Sequence, residues 1–273
     1  MAWSQVSPRR WERRIDGLDG FCAHIASVSA SLYNGQHHLT TFNKLQLELN
    51  MPAADLEASL KRAWIQLRST FIVSVATDGD ELHPTVPPIA QTTLYYLPTT
   101  SELILRAPHH LLDGTGIMRL WDRFLGILVS PPEATKITFP DEPSWLPPSL
   151  SEVLGVPDEP TPEQRAMIME MFRPYQEHGP GIGPISNLGS RPAGYCRHAK
   201  LVVPPHITQA IIQACKAKGI SVSSAIQAAY IQTIKQHADP NHPSSHYITT
   251  AQFNVRPYLP PQAAQHAASL YLI

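Results

Sequence analysis

Apolar and polar positions alternate along Phe42–Leu49 (F-N-K-L-Q-L-E-L), which puts Leu45, Leu47 and Leu49 on one face and predicts a half-buried strand. After Met51-Pro52-Ala53-Ala54-Asp55 the period changes. Leu56, Leu60, Ala63, Trp64 and Leu67 recur at helical spacing, so an amphipathic helix is expected to about Arg68. Phe71–Ala76 reads as a short β-branched strand. Asp78-Gly79-Asp80 reads as a turn, with Leu82–Val86 as a hairpin partner. Glu102–Ala107 predicts a buried strand that stops at Pro108, since proline cannot donate to a ladder. Past Thr115, the residues Ile117, Leu120, Trp121, Phe124, Leu125 and Leu128 form the strongest helical stripe in the chain.

The C-terminal third carries its own strand and helix signals, with no internal repeat of the first part. His198–Val203 predicts a strand. Pro204-Pro205 opens a helix with Ile207, Ile211, Ile212 and Cys215 on one face, closed by Gly219 as its C-cap glycine. Ser221 or Ser223 caps a second helix, with Val222, Ala225, Ile226, Ala229, Tyr230 and Ile234 at core spacing. Asp239–Pro243 is a loop, and His246–Val255 predicts a further strand. Between the two folded parts lies a proline-rich stretch, Pro131–Pro192, that can hold neither a long helix nor a central strand. A short helix over Glu163–Phe172 is expected to interrupt it. The expected organisation is an N-terminal lobe over 1–130, a connector over 131–194 and a C-terminal lobe over 195–273.

Composition narrows the function classes. The chain has 273 residues, 43% apolar and 16% charged, with a formal net charge of −1, which describes a globular chain with no bulk attraction for nucleic acid or anionic membrane. The cluster Arg9, Arg10, Arg13 and Arg14 is interrupted by Trp11 and Glu12 and reads as a solvated face. Three cysteines (Cys22, Cys196 and Cys215) lie far apart, against a disulfide scaffold or a cysteine zinc site. Met1-Ala2-Trp3-Ser4-Gln5 lacks the apolar core of a signal peptide, and no stretch approaches the ~20 apolar residues that span a bilayer. The expectation is a reduced, cytoplasmic protein without membrane or nucleic-acid partners.

The chemistry concentrates on Ala107-Pro108-His109-His110-Leu111-Leu112-Asp113-Gly114-Thr115-Gly116, which falls between the predicted strand and helix, where a rigid scaffold can present a catalytic loop. An alcohol or amine that attacks a carbonyl must lose its proton as it does so. A neutral imidazole suits that task and contributes about 10²- to 10⁴-fold in rate. Gly114 and Gly116 are expected to let the backbone turn tightly beside the pocket. Other constellations carry less. His37-His38 reads as a polar loop. His237, His242 and His246 lie across a proline loop rather than converging on a metal. Gly179–Gly183 (G-P-G-I-G) has no lysine, preceding strand or following helix and reads as linker, and Trp64, Trp121 and Phe124 read as core.

The segment resembles the H-x-x-x-D-G signature of the condensation-domain and plant-type CoA-dependent acyltransferase superfamily, and Phe253-Asn254-Val255-Arg256-Pro257 resembles the N-x-R-P segment in the second lobe of its members. The likeness covers about Arg10 to Pro261 and is best with the fungal alcohol acetyltransferases of the trichothecene 15-O-acetyltransferase kind. It implies an α+β, two-lobed, chloramphenicol-acetyltransferase-like fold. In this register His109 matches the catalytic base and Asp113 is the second catalytic candidate, as orienter or scaffold, with Gly114 and Arg256 in support and His110 and Gly116 as second-line candidates. The resemblance implies that Asp113 points away from substrate and pairs with Arg256. Pro108 stands where condensation domains carry a second histidine, which favours the alcohol-acetyltransferase branch. Acyl-CoA, above all acetyl-CoA, is the implied co-substrate, a small hydroxylated metabolite the acceptor, and no metal is implied. A D-F-G-W-G-like segment, the superfamily's second hallmark, does not occur, so the second lobe is expected to be incomplete: a truncated chain, one completed by a second chain or copy, or one turned to another task. A carrier-protein donor, a cyclase or dehydratase acting without CoA, and a degenerate non-catalytic binding subunit remain as alternatives.

Overall fold

Alternate residues of two adjacent strands decide how the chain is built. A computed structural model describes residues 3–7, 10–15, 17–29, 39–48, 51–65, 67, 70–87, 89, 91–131, 146–157, 159–179, 181–185, 199–264 and 269–271. Its elements run β1 (Ser4–Ser7), β2 (Arg10–Glu12), α1 (Gly17–Ser29), β3 (Thr40–Gln46), α2 (Ala53–Ile65), β4 (Thr70–Val73), α3 (Gly79–Thr85), β5 (Thr93–Leu97), β6 (Glu102–Pro108), α4 (Gly114–Val129), α5 (Leu150–Val153), α6 (Pro162–His178), α7 (Pro205–Ala217), α8 (Val222–His237), a 3₁₀ turn (Arg256–Tyr258) and α9 (Pro261–Ala264). Helices and a mixed sheet together are compatible with the expected α+β class.

The chain divides into two compact units, Met1–Pro157 with Gln252–Ile273, and Asp158–Ala251. This division does not follow the expected 1–130, 131–194 and 195–273. Residues 146–157, 252–264 and 269–271 belong with the sheet because Tyr271 and Arg256 bond to Asp113 and Leu150 packs with Leu259 and Tyr271.

In the first unit β3, β6, β5 and β4 form one sheet in that order, antiparallel except for the parallel β4–β5 pair. Every residue of β5 and β6 is buried. Leu94, Tyr96, Leu103, Leu105 and Ala107 face one way, onto Leu56, Leu60, Ala63 and Trp64 of α2 and Ile117, Trp121, Phe124 and Leu128 of α4. Tyr95, Leu97 and Ile104 face the other way, onto Leu82 of α3. Each large apolar side chain so buried contributes about 1.5–3 kcal/mol. Trp64 and Trp121 both meet Phe124 edge-on, at ring-centroid distances of 5.4 and 5.9 Å.

The expected hairpin over Leu82–Val86 is corrected to helix α3. Asp78 accepts hydrogen bonds from the backbone N–H groups of Asp80 and Glu81, so the presumed turn is an N-cap with acidic residues in the following turn. Strand β5 was not anticipated, nor were β1, β2 and α1. The strand expected over His198–Val203 is absent among its described residues, 199–203, where Leu201 and Val202 are exposed and no ladder forms. His246–Val255 likewise forms no strand, and Arg256–Tyr258 is a 3₁₀ turn closed by Arg256 O accepting from Leu259 N. His37-His38, Leu49, Arg68 and Cys196 lie outside the described residues.

In the second unit the helix expected over Glu163–Phe172 runs from Pro162 to His178, opened by a capping box between Thr161 and Gln164 and continuing past Pro174. Gly219, at φ +64°, follows α7 as expected, and Ser221 caps α8. The apolar stripes of α7 and α8 do not become core. Ile207, Ile211, Ile226 and Tyr230 are exposed, and only Cys215 and Ile234 are buried on these helices.

Candidate active site

The loop between β6 and α4 is held at both ends. At its start, His109 N donates to Leu39 O at 2.8 Å, extending the β3–β6 pairing by one step. At its end, Asp113 is the N-cap of α4: Oδ1 accepts from Gly116 N at 2.6 Å. Oδ2 accepts from Arg256 Nη1 at 2.9 Å and from Tyr271 N at 2.7 Å. The two charged side chains are 1% and 0% exposed, a fully buried ion pair. Arg256 also donates to Asn254 Oδ1 at 3.1 Å and to Ser269 O, and its guanidinium lies over the Tyr271 ring at 5.2 Å. Three donors converge on the Asp113 carboxylate, so it acts as a fixed acceptor that ties the head of α4 to the C-terminal segment. The two residues paired by the resemblance thus meet inside one compact unit.

His109 is half-buried. Its Nδ1 lies 3.1 Å from Leu112 O. A carbonyl can only accept, so Nδ1 is the donor. The neutral ring then carries its lone pair on Nε2. The backbone that orients the imidazole is also the backbone that Asp113 anchors, which places the carboxylate one step behind the base.

His110 is half-buried beside a cavity lined by Arg13, Asp19, Ser269 and Tyr271. Burial pushes its pKa below the ordinary histidine value, against the Asp19 carboxylate, which pushes it up, and with the neighbouring His109, which pushes it down. Gly114 and Gly116 correct the expectation of turn glycines. Both sit in the first turn of α4, and neither has a positive φ. A Cβ on Gly114 would meet nothing within 4 Å. Gly116 contributes its N–H to Asp113.

Sequence reasoning missed Leu112 and Leu39, which act through backbone groups that leave no side-chain signal, and Tyr271, whose N–H bonds Asp113 and whose ring lies under the Arg256 guanidinium. Asn254 and Ser269 were also missed as partners of Arg256, although Asn254 stands in the quoted motif. The expected solvated basic face is partly corrected: Arg13 pairs with Asp19 at 2.6 Å and both side chains are nearly buried. Among the described residues no group of three or more histidine, cysteine or acidic side chains converges as a metal site, and burial raises the Cys22 pKa, which suits a thiol better than a nucleophilic thiolate. No described helix is long and apolar enough to cross a membrane.

An imidazole oriented on a clamped strand-to-helix loop has the geometry that general acid–base chemistry needs. No protein-family model matches the chain. It is 28% identical over 311 aligned positions to "Acetyltransferase pigO" of Monascus ruber, covering 99% of this chain and 67% of that protein. It is 29% identical over 211 positions to "O-acetyltransferase pigM" of the same fungus, covering 74% of this chain and 41% of that protein. A third relative, 26% identical over 216 positions and covering 72% of this chain and 43% of the relative, is named "Loline biosynthesis cluster 1 transcription factor lolU1", from Epichloe uncinata. The chain therefore spans only part of the length of these relatives. Its likeness to fungal acetyltransferases supports a general acyltransferase role.

Proposed function

We propose that this chain carries the base-bearing part of an O-acyltransferase that moves an acetyl group from acetyl-CoA to a hydroxyl of a small fungal secondary metabolite in the cytoplasm. The observation that carries the reading is the His109–Leu112 hydrogen bond, because it leaves Nε2 as the proton acceptor on a loop anchored by a buried ion pair. As the acceptor oxygen bonds to the thioester carbonyl carbon, its proton passes to Nε2. The tetrahedral adduct then collapses, the C–S bond breaks, and the imidazolium returns the proton to the departing CoA sulfur. The products are an ester and free CoA thiol, with no change of oxidation state. Asp113 and Arg256 do not touch the reacting atoms in this scheme. They are positioning residues that keep Leu112 O where it can orient the ring. The superfamily resemblance and the names of the two acetyltransferase relatives support the reaction class, and the resemblance implies a two-lobed, chloramphenicol-acetyltransferase-like architecture. A carrier-bound donor uses the same steps, and a second chain could complete the second lobe.

The test is release of CoA thiol from acetyl-CoA in the presence of hydroxylated aromatic or polyketide-like acceptors. His109→Ala is expected to lower the rate by about 10²- to 10⁴-fold while leaving the unfolding temperature unchanged. Transfer by the variant at the native rate would remove His109 from the mechanism. A second reading, a non-catalytic binding subunit, is favoured by the relative named as a transcription factor. It predicts no thiol release from the wild-type chain with any acceptor.

A further inference from the structure

The side of the histidine loop that bears His110 borders a cavity of about 240 Å³ that the acyl-transfer scheme does not use. Its wall is drawn from four stretches of the first unit: Trp3 with Arg13 and Asp19, the loop residues His110–Leu112, residues 146–150, and 269–271. Most of the surface is apolar, from Leu111, Leu112, Leu146, Leu150, Leu270 and the prolines at 147 and 148. Several polar groups of the wall are already committed. Trp3 Nε1 donates to Pro147 O, Tyr271 Oη donates to Pro148 O, and Arg13 pairs with Asp19. Two stand apart. Ser269 buries a hydroxyl that forms no hydrogen bond of good geometry; it lies beside the Tyr271 hydroxyl, whose pKa it pulls down against burial, and its acceptor lone pairs are left for a ligand. The imidazole of His110 is half-buried at the edge of the cavity, next to Leu111, which is 41% exposed and marks the way in. An apolar cavity of about 150 Å³ is already large enough to hold benzene.

We propose that this cavity is a small-molecule site distinct from the His109 face of the loop, that it takes a neutral, mostly apolar molecule with one hydroxyl or carbonyl group, and that His110 and Ser269 receive that polar group. Burial holds His110 on its neutral side, where the ring both donates and accepts. An occupant would touch His110 and Leu112 on one side and Ser269 and Tyr271 on the other. It would therefore press on the carbonyl that orients His109 and on the segment that holds Asp113.

The probe is benzyl alcohol, titrated into the purified chain and followed by heteronuclear NMR, with toluene as the probe that lacks a hydroxyl. Binding is read directly, so the outcome does not depend on whether the chain transfers acyl groups. The expected result is a saturable shift centred on His110, Leu150, Leu270 and Tyr271, with the His109 ring nitrogens moving at the same midpoint and toluene binding more weakly. Leu146→Trp, which fills the wall away from the loop, and Leu111→Trp, which blocks the mouth, are each expected to abolish saturation. Shifts that never saturate, shifts that map elsewhere, toluene binding as well as the alcohol, or undiminished binding in a folded variant would each overturn the site. If a variant fails to fold, the wild-type shift map and the toluene comparison decide alone.

Discussion

The two compact units use the same kind of sequence pattern to different ends. In the first, helical and alternating apolar positions become a continuous core in which Trp64, Phe124, Leu94, Leu103 and Leu105 are at or near zero exposure. In the second, α7 and α8 carry similar stripes, yet Ile226 is 63% exposed and Tyr230 53%. A period of 3.6 states which residues share a face; it does not state that a partner covers that face. The candidate base sits in the unit where the pattern is satisfied on both faces of the sheet, which is the unit able to hold a loop still.

The largest effect should follow from cutting into that core. Phe124→Ala removes the ring that both Trp64 and Trp121 meet edge-on and is expected to cost about 3–5 kcal/mol. Ile226→Ala on α8 is expected to change stability by no more than about 0.5 kcal/mol. Denaturant unfolding of the two variants side by side makes the measurement. Similar losses in both would mean that the stripe on α8 is covered in solution and that the contrast between the units is false.

The next effect tests what holds the loop rather than what lies beneath it. Arg256→Ala leaves the Asp113 carboxylate buried without its countercharge, at an expected cost of about 3–5 kcal/mol. Two of the three donors to Asp113, Gly116 N and Tyr271 N, survive the substitution, so the cost should fall toward the lower end of that range. Asp113→Asn reverses the problem by leaving a buried guanidinium facing a neutral amide. If the pair serves only to position the loop, both variants lose stability and transfer together, and transfer recovers in part at lower temperature where the fold is retained. A variant that keeps full stability and loses all transfer would instead move Asp113 or Arg256 into contact with the reacting groups.

How much of this was legible beforehand follows from which forces leave a trace in side-chain identity. The β3 strand, α2, β6 and α4 were readable because each has one clear apolar face or an uninterrupted apolar run. Strand β5, T-L-Y-Y-L, was not, because it is buried on both faces and so shows no alternation. Helix α3 was mistaken for a hairpin because Asp78-Gly79-Asp80 suits a turn as well as a cap; in the fold Asp78 caps the helix, and Glu102 accepts from Gly79 N at 2.7 Å. The His109 loop was legible as a spaced motif between a strand and a helix, and the Asp113–Arg256 pairing only through the family resemblance that the motif carries. Leu112 O and Tyr271 N, which orient the base and complete the clamp, were not, since a backbone group is the same in every residue but proline.

The smallest effect is the pH dependence carried by His110, and its sign is fixed by burial. An unfolded histidine titrates near about 6.5, and burial pushes His110 below that value in the folded chain. Below the ordinary value, the unfolded chain therefore binds the proton more readily than the folded one. The contribution of His110 is complete above the unfolded value and is lost as the pH falls from there through the folded value. The partly exposed ring and the opposing pull of Asp19 keep the effect modest. His110→Gln removes the titration while keeping a polar side chain of similar reach. The stability difference between wild type and variant should be flat at neutral and alkaline pH and shift against the wild type below about pH 6.5. Chemical denaturation at a series of pH values from neutral to mildly acid measures it. A difference that stays constant across the series would mean that Asp19 cancels burial, and one that shifts in favour of the wild type on acidification would mean that Asp19 outweighs it and that the cavity edge is more polar than its leucines suggest.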